Sequence, residues 1–326
     1  MLDELLEDFW TWWADVKDQF RDAIATELAT DIPDEITQRL KALHPDLTWQ
    51  ITPGITARHS LNVASGGSRM LRLISGRWAL GAPPADADWE YHPGRMPFDP
   101  DVISVRGIDV DPADLRLAIE IDTLFERLNF TVSHEAFAQL DYEESRDVTL
   151  DWLDAVLGED EVERWLGMLE VVDYVNDAVG LDAILLKLME AKEAFTGQSW
   201  EDGAEYYDDD VHAKINRSAK WINNLGRPLY AEVTMASLAS DDRGLPTPLE
   251  ARRLDEISRQ LLDGLGEYAA MVATATGDSE RTLYLYLAPA EKVDEALAAW
   301  KEANGNRETN VEIAVDEQWA NAEQWD

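Results

Sequence analysis

The stretch from Arg227 to Trp319 constrains the fold more than any other part of this chain. Its apolar residues change period in a fixed order. They alternate over Leu229–Met235, then recur at three and four residues through Leu254, Ile257 and Leu261. They alternate again over Tyr268–Thr274 and Thr282–Leu287, on either side of Gly277-Asp278. Helical spacing returns over Ala290–Ala303, stopped by Asn304-Gly305, and a last alternation covers Asn310–Val315. Period two is the mark of a half-buried strand and period 3.6 that of a one-sided helix, so the order is strand, helix, strand, strand, helix, strand. Thr247, Pro248 and Glu250 suit the N-cap, N1 and N3 positions of the first helix. A βαββαβ order predicts a ferredoxin-like sandwich, one sheet with both helices on a single face.

The same alternation sorts the side chains. Ala231, Val233, Met235, Leu283, Leu285, Leu287, Val311, Ile313 and Val315 are expected under the helices. Tyr230, Glu232, Thr234, Thr282, Tyr284, Tyr286, Glu312 and Asp316 then fall on the opposite face. The first and third strands are neighbours in such a sheet, so the three tyrosines should cluster. Aromatic residues on this face stack bases in RNA-recognition modules. Here Glu232, Glu312 and Asp316 stand where cations would be needed, which argues against RNA and for protein contact. Tyr230, Glu232, Tyr284, Tyr286 and Glu312 are the candidate binding residues, unless the face serves contact with the rest of the chain.

Upstream, the pattern is a mixture of helices and antiparallel strands. Leu2, Leu5, Leu6, Phe9, Trp12, Trp13, Val16, Phe20, Ile24 and Leu28 form one stripe on a long helix, expected to pack a core. A second helix spans Pro33 to Leu43, a hairpin pairs Thr48–Ile51 with Ser60–Ala64, and a helix runs from Ser68 to Leu80. A strand at Trp89–His92 and a second hairpin, through Leu115–Ile121 and Leu128–Val132, follow. Leu150–Leu157 reads as a helix stopped by Gly158, Trp165–Val172 as a buried strand, and Leu181–Phe195 as an amphipathic helix. Residues 197–226, polar and acidic around Tyr206-Tyr207-Asp208-Asp209-Asp210, read as a connecting segment. The expected class is α+β with two domains: 1–196, a mixed helix and antiparallel-sheet unit, and 227–326, the ferredoxin-like one.

Composition limits the partners. There are 66 acidic and 28 basic residues, a net charge of −38, which repels phosphate backbones and anionic membranes. The same charge serves solubility, or docking on a basic partner. There is no cysteine, which removes thiolate chemistry and fits a reducing compartment. No apolar run approaches the ~18 residues of a membrane span. The segment Met1-Leu2-Asp3-Glu4 is acidic where a secretory leader would be basic. The expectation is a cytoplasmic protein that engages neither nucleic acid nor membrane.

Several motifs carry a resemblance. Gly244-Leu245-Pro246 with Glu250, the helix Leu254…Ile257…Leu261, Thr276-Gly277 before Arg281…Tyr284-Leu285-Tyr286, and Asp316…Trp319 resemble the bacterial domain-of-unknown-function 695 family over residues 227–319. In that family the domain occurs beside, and is similar in fold to, an acidic protein inhibitor called regulator of ribonuclease activity B. No such second domain is recognisable in residues 1–196, and the resemblance implies no catalytic residues.

Chemical signatures are sparse. No phosphate loop, Gly-x-Gly-x-x-Gly or Gly-x-Ser-x-Gly occurs. His134-Glu135 begins a zincin-like pair, but position 138 is alanine. His44, His59, His92 and His212 stand far apart. Ser65-Gly66-Gly67-Ser68 could present free amides to an anion, or be a tight turn with Ser68 as N-cap. Asp202 to Asp210 could gather oxygens for calcium, although the spacing is not that of an EF-hand. No cofactor is expected. The functional expectation is a protein-binding or regulatory protein. The alternatives are an enzyme of unrecognised type with a site between the domains, or an acidic sensor of cations or small molecules.

Overall fold

The structure is a computed structural model, and it describes residues 2–203 and 211–325. Tyr206 to Asp210, the core of the acidic stretch, lies outside the described residues. The chain is α+β and divides into two compact units, one of Met1–Glu120 with Leu128–Glu190, the other of Ile121–Arg127 with Ala191–Asp326.

The first unit opens with α1 (Leu2–Thr26) and α2 (Ile32–Leu43), followed by strands β1 (Thr48–Pro53) and β2 (His59–Ala64). Helix α3 (Arg69–Leu80) and strand β3 (Trp89–His92) complete the first core; β1 pairs antiparallel and β3 parallel with β2. The tryptophan stripe of α1 is that core: Phe9, Trp10, Trp13 and Phe20 are buried with Trp78 and Trp89. Its indoles reach polar partners, Trp10 donating to the Trp78 carbonyl at 2.8 Å and Trp13 to the Tyr91 hydroxyl at 2.9 Å. Buried indole N–H groups need such acceptors, so Trp10 and Trp13 are committed to the core. Trp10, outside the expected stripe, belongs to the core, whereas Leu28 is exposed beyond the helix end.

A short hairpin, β4 (Ile103–Val105) with β5 (Ile108–Val110), leads to β6 (Arg116–Asp122) and β7 (Arg127–Ser133), which form a three-stranded sheet with β8 (Leu166–Val171). Between β7 and β8 lie α4 (Tyr142–Leu157) and α5 (Glu159–Trp165). Helix α4 begins well before the expected Leu150, because Asp141 and Glu144 form a capping box around its polar first turn. Strand β8 exists but is only half buried: it is an edge, and Met168 and Glu170 face outward. Helix α6 (Ala183–Ala194) follows. It is not amphipathic as expected. Ile184, Leu188 and Ala191 are buried, but Leu185, Leu186 and Met189 are exposed at 51%, 69% and 65%.

The second unit is a six-stranded sheet with two helices. Strands β9 (Trp200–Asp202) and β10 (Val211–Asn216) come from the stretch read as a connecting segment. Then come β11 (Leu229–Ala236), α7 (Pro248–Leu265), β12 (Ala269–Gly277), β13 (Glu280–Leu287), α8 (Glu291–Ala303) and β14 (Thr309–Val315). The sheet order is β14-β11-β13-β12-β10-β9, with antiparallel neighbours throughout. Ala231, Val233, Met235, Leu283, Leu285 and Leu287 pack against Leu254, Leu261, Leu297 and Trp300 of α7 and α8, as the alternation predicts. Ile313 and Val315 do not: they are 46% and 75% exposed, because β14 is the edge and its far end runs out from under the helices. Thr247 precedes α7 and Pro248 opens it, but the Thr247 side chain makes no capping bond.

Candidate functional site

The five candidate residues do converge. Register places Tyr230 opposite Tyr286 and Glu232 opposite both Tyr284 and Glu312. The Tyr230 and Tyr286 rings lie 5.4 Å apart. The face is nevertheless not open at its centre, because the segment after β14 folds across it. Trp319 stacks on Tyr286 at 4.0 Å with planes 12° apart, and Trp325 packs on Tyr284 at 4.8 Å. Asp316 anchors the segment, accepting from the Tyr286 hydroxyl at 2.7 Å and from the backbone amides of Ala320 and Asn321. The Trp319 indole donates to the Arg227 carbonyl at 3.1 Å, and Arg217 donates to the Trp325 carbonyl at 2.5 Å.

Tyr286 is therefore wholly buried and Tyr230 nearly so; Glu232 and Tyr284 are half-buried, and of the five only Glu312 is exposed. Burial, followed by hydrogen bonds to the carboxylates of Asp316 and Glu232, holds both phenols far above the ordinary tyrosine range. They remain neutral donors, Tyr230 to Glu232 at 2.9 Å, and offer no phenolate chemistry. Burial pushes the Asp316 carboxyl up, but its hydrogen bonds from Tyr286, Asn321 and Ala320 outweigh that and keep it low. The sequence signal for this cover was present in Trp319 and Trp325. It was aperiodic, so alternation alone did not reveal it.

The opposite face of the same sheet carries a groove of about 720 Å³. One wall is α7, through Asp255, Ser258, Arg259 and Leu262; the other is β10 and β9, through His212, Lys214 and Trp200. Its floor is Met271, Thr274 and Thr276 of β12 with Arg281 and Leu283 of β13. On β10 the alternation is clean, with Ala213 and Ile215 buried and His212 and Lys214 exposed. Arg281 is fixed by Thr276 at 2.9 Å and Asp255 at 2.5 Å.

Residues 210–323 match the family described as Family of unknown function (DUF695). No curated protein and no solved structure matches the chain. The resemblance read over 227–319 thus holds and begins earlier, just before β10. The residues that carry it have structural work in the DUF695 region. Gly244 has φ +79°, and a Cβ there would meet the Asp278 backbone at 3.1 Å, in the turn where its carbonyl accepts from the Ser279 amide. Glu250, fully buried, does not cap α7. It accepts from Arg307 at 2.8 Å and from the Leu238 amide at 3.0 Å. Its burial is offset by these bonds, and its carboxyl is held low.

The other candidates resolve in the first unit. The amides of Ser65 and Gly67 do bind an anion, the protein's own Glu159. That carboxylate accepts from the Ser65 amide at 2.9 Å, the Ser65 hydroxyl at 2.6 Å, and the Gly67 and Arg95 amides at 3.1 Å each. Gly66 and Gly67, at φ +57° and +77°, aim the amides inward. Ser68 caps α3 through the Leu71 amide, as expected. His134 caps a 3-10 turn, accepting from the Ala136 amide, and His92 pairs with Glu90 at 3.0 Å. Among the described residues no group of three or more His, Asp or Glu is placed to hold a metal ion. No described helix is long and apolar enough to cross a membrane.

Proposed function

We propose that this chain is a regulatory protein that binds another protein through the outer side of α6. The single observation carrying this reading is that α6 is apolar on two sides while only one is buried. Leu185, Leu186 and Met189 remain exposed opposite Ile184, Leu188 and Ala191. A helix apolar on all sides ordinarily belongs inside a core, so an exposed apolar side marks a contact left to another molecule. Charge selects the occupant. Along the helix and at its start, Asp182, Glu190 and Glu193 stand against Lys187 and Lys192, and Lys187 is already paired with Glu190 at 2.7 Å. The complementary surface is an amphipathic helix with a basic rim, laid against α6 by its apolar side.

The same reading takes the DUF695 region as a ferredoxin-like domain extended at one edge by β10 and β9. The β14-β11-β13-β12 order with two helices on one face supports it. It takes the protein as cytoplasmic and without a nucleic-acid partner, supported by the absence of cysteine and the net charge of −38.

The test uses a labelled amphipathic leucine–lysine peptide of about 18 residues, five helical turns. Leu186→Gln with Met189→Gln leaves net charge untouched and removes the apolar stripe. Fluorescence anisotropy is expected to show saturable binding by the native chain, weakened at least tenfold in the double variant, about 1.4 kcal/mol. Equal affinity in both would mean that bulk acidity alone attracts the peptide, and the reading would fall.

A further inference from the structure

We infer that β14 is the contact edge of a two-fold dimer, in which a second copy of this chain sets its own β14 antiparallel to the first and joins the two sheets. The two edges of the six-stranded sheet are unlike. The β9 edge is three residues long, and Glu201 and Asp202 make most of it charged. Short, charged edges deter pairing. The β14 edge runs for seven residues, Thr309–Val315, in unbroken register with β11. It has no bulge, proline, lysine or arginine, and its one charge is Glu312. On its helix side Val311 packs against the core, but Ile313 and Val315 are exposed.

Backbone direction shows which groups are free. The Asp316 amide donates to the Pro228 carbonyl at 2.8 Å, and the Glu308 carbonyl accepts from the Ala236 amide at 2.9 Å, so even-numbered residues turn toward β11. Alternate residues of an antiparallel strand point their N–H and C=O to opposite sides, so Val311, Ile313 and Val315 present theirs outward. No described strand pairs with that side. Such an edge is a template for another strand.

Charge and register select the occupant. With the two-fold axis at Ile313, that residue meets its own copy and Val311 meets Val315, each pair exchanging two backbone hydrogen bonds. The product is an uninterrupted row of β-branched side chains that covers Ile313 and Val315. On the other face Glu312 stands opposite Ala314, and Asn310, donating to it at 2.8 Å, draws it away from the axis. With the axis at Glu312, the two glutamates would lie directly opposite and repel. With the axis at Val311, Val315 would face Arg307, which is buried in its pair with Glu250, and would stay uncovered. The chain's net charge of −38 makes the copies repel at longer range, so the dimer tightens as salt screens them. Docking of a basic partner on α6 has the opposite salt dependence.

The experiment is sedimentation velocity of the full chain over a concentration series, in about 0.1 M and about 1 M NaCl, where screening lengths are about 10 Å and about 3 Å. A monomer–dimer equilibrium is expected, with a dissociation constant below about 1 mM in the higher salt and at least tenfold weaker in the lower. Ile313→Lys, at an exposed position, sets like charges opposite each other and is expected to weaken the dimer at least tenfold while circular dichroism stays native. Crosslinking reads the register, since the chain has no cysteine of its own. Ile313→Cys is expected to link to its copy through a short bismaleimide. Thr309→Cys, whose two copies would stand about 27 Å apart, is expected not to link. The Leu186→Gln, Met189→Gln double variant is expected to dimerise as the native chain does, which keeps this inference separate from the docking reading. The inference is overturned by a chain that stays monomeric in both salts, by a dimer that loosens as salt rises, or by one that survives Ile313→Lys. Linking of Thr309→Cys as readily as Ile313→Cys overturns it too, as does a dimer lost in the α6 double variant.

Discussion

Replacing Asp154 by asparagine is expected to stabilise the first unit at neutral pH and to leave it unchanged in acid. Asp154 sits near the end of α4 with a fifth of its side chain exposed, 3.4 Å from Arg95. Burial pushes its carboxyl up to about 6, Arg95 opposes this, and Glu159 and Asp151 reinforce it. The folded pKa lies above that of an unfolded aspartate, about 3.9. Between those values the native state holds a proton that the unfolded state has lost, so stability falls as pH rises from about 4 to about 6. A gap of about two units at 1.36 kcal/mol each gives about 3 kcal/mol as the cost of the charge at neutral pH. Asparagine keeps the shape of the protonated acid and removes the titration. With a urea slope of about 2–3 kcal/mol/M, the midpoint by circular dichroism should rise by about 1 M near pH 7.5 and not at all near pH 4. A variant less stable than the native chain at pH 7.5 would refute the reasoning, because Arg95 would then outweigh burial. An equal gain at both pH values would refute it too, since the effect would not be electrostatic.

Two further substitutions probe the contacts that fill the other candidate sites. Trp319→Ala should cost the second unit about 3–5 kcal/mol, the range for buried tryptophan, and should open Tyr286 to nitration by tetranitromethane. Stability loss with Tyr286 still protected would show that the C-terminal segment does not cover the sheet. Glu159→Ala should destabilise the first unit by emptying the turn of Ser65 and Gly67. Added formate should then raise the melting temperature of the variant more than that of the native chain, and an equal response in both would show that the amides do not select a carboxylate.

What the sequence made legible was local. Period two and period 3.6 located most elements, and in the DUF695 region they also sorted the side chains correctly on β11 and β13. The failures share a cause, which is contact between residues distant in the chain. Glu159 reaches Ser65 across 94 residues and Arg307 reaches Glu250 across 57, so neither the filled turn nor the buried ion pair leaves a local pattern. Short strands fail differently. Strand β9 has three residues and β10 exposes His212 and Lys214, so both read as polar chain until their hydrogen bonds to the sheet are seen. Ile313 and Val315 obey the alternation of a buried strand but stand at an edge, and a period carries no information about whether a helix lies overhead. The start of α4 was legible in Asp141 and Glu144, a cap outweighed by the polarity of its first turn.

The groove follows from a mismatch of widths. A helix with its side chains is about 10 Å across, and strands are spaced at about 4.8 Å, so two helices cover about four strands. The β14-β11-β13-β12 portion needs no more. Adding β10 and β9 extends the sheet beyond α7, and the uncovered strip must either carry polar side chains or find another cover. On the strip beside α7 the chain takes the first course, with His212 and Lys214 on β10. On the opposite face the cover lies over the central strand β13, where Trp325 and Trp319 fold over Tyr284 and Tyr286. The family match begins at residue 210 and so includes β10, α7 and the floor of the groove, leaving only Trp200 outside. Helix α6 lies wholly outside the match. Docking on α6 would therefore belong to this chain's own first 200 residues and not to the DUF695 region.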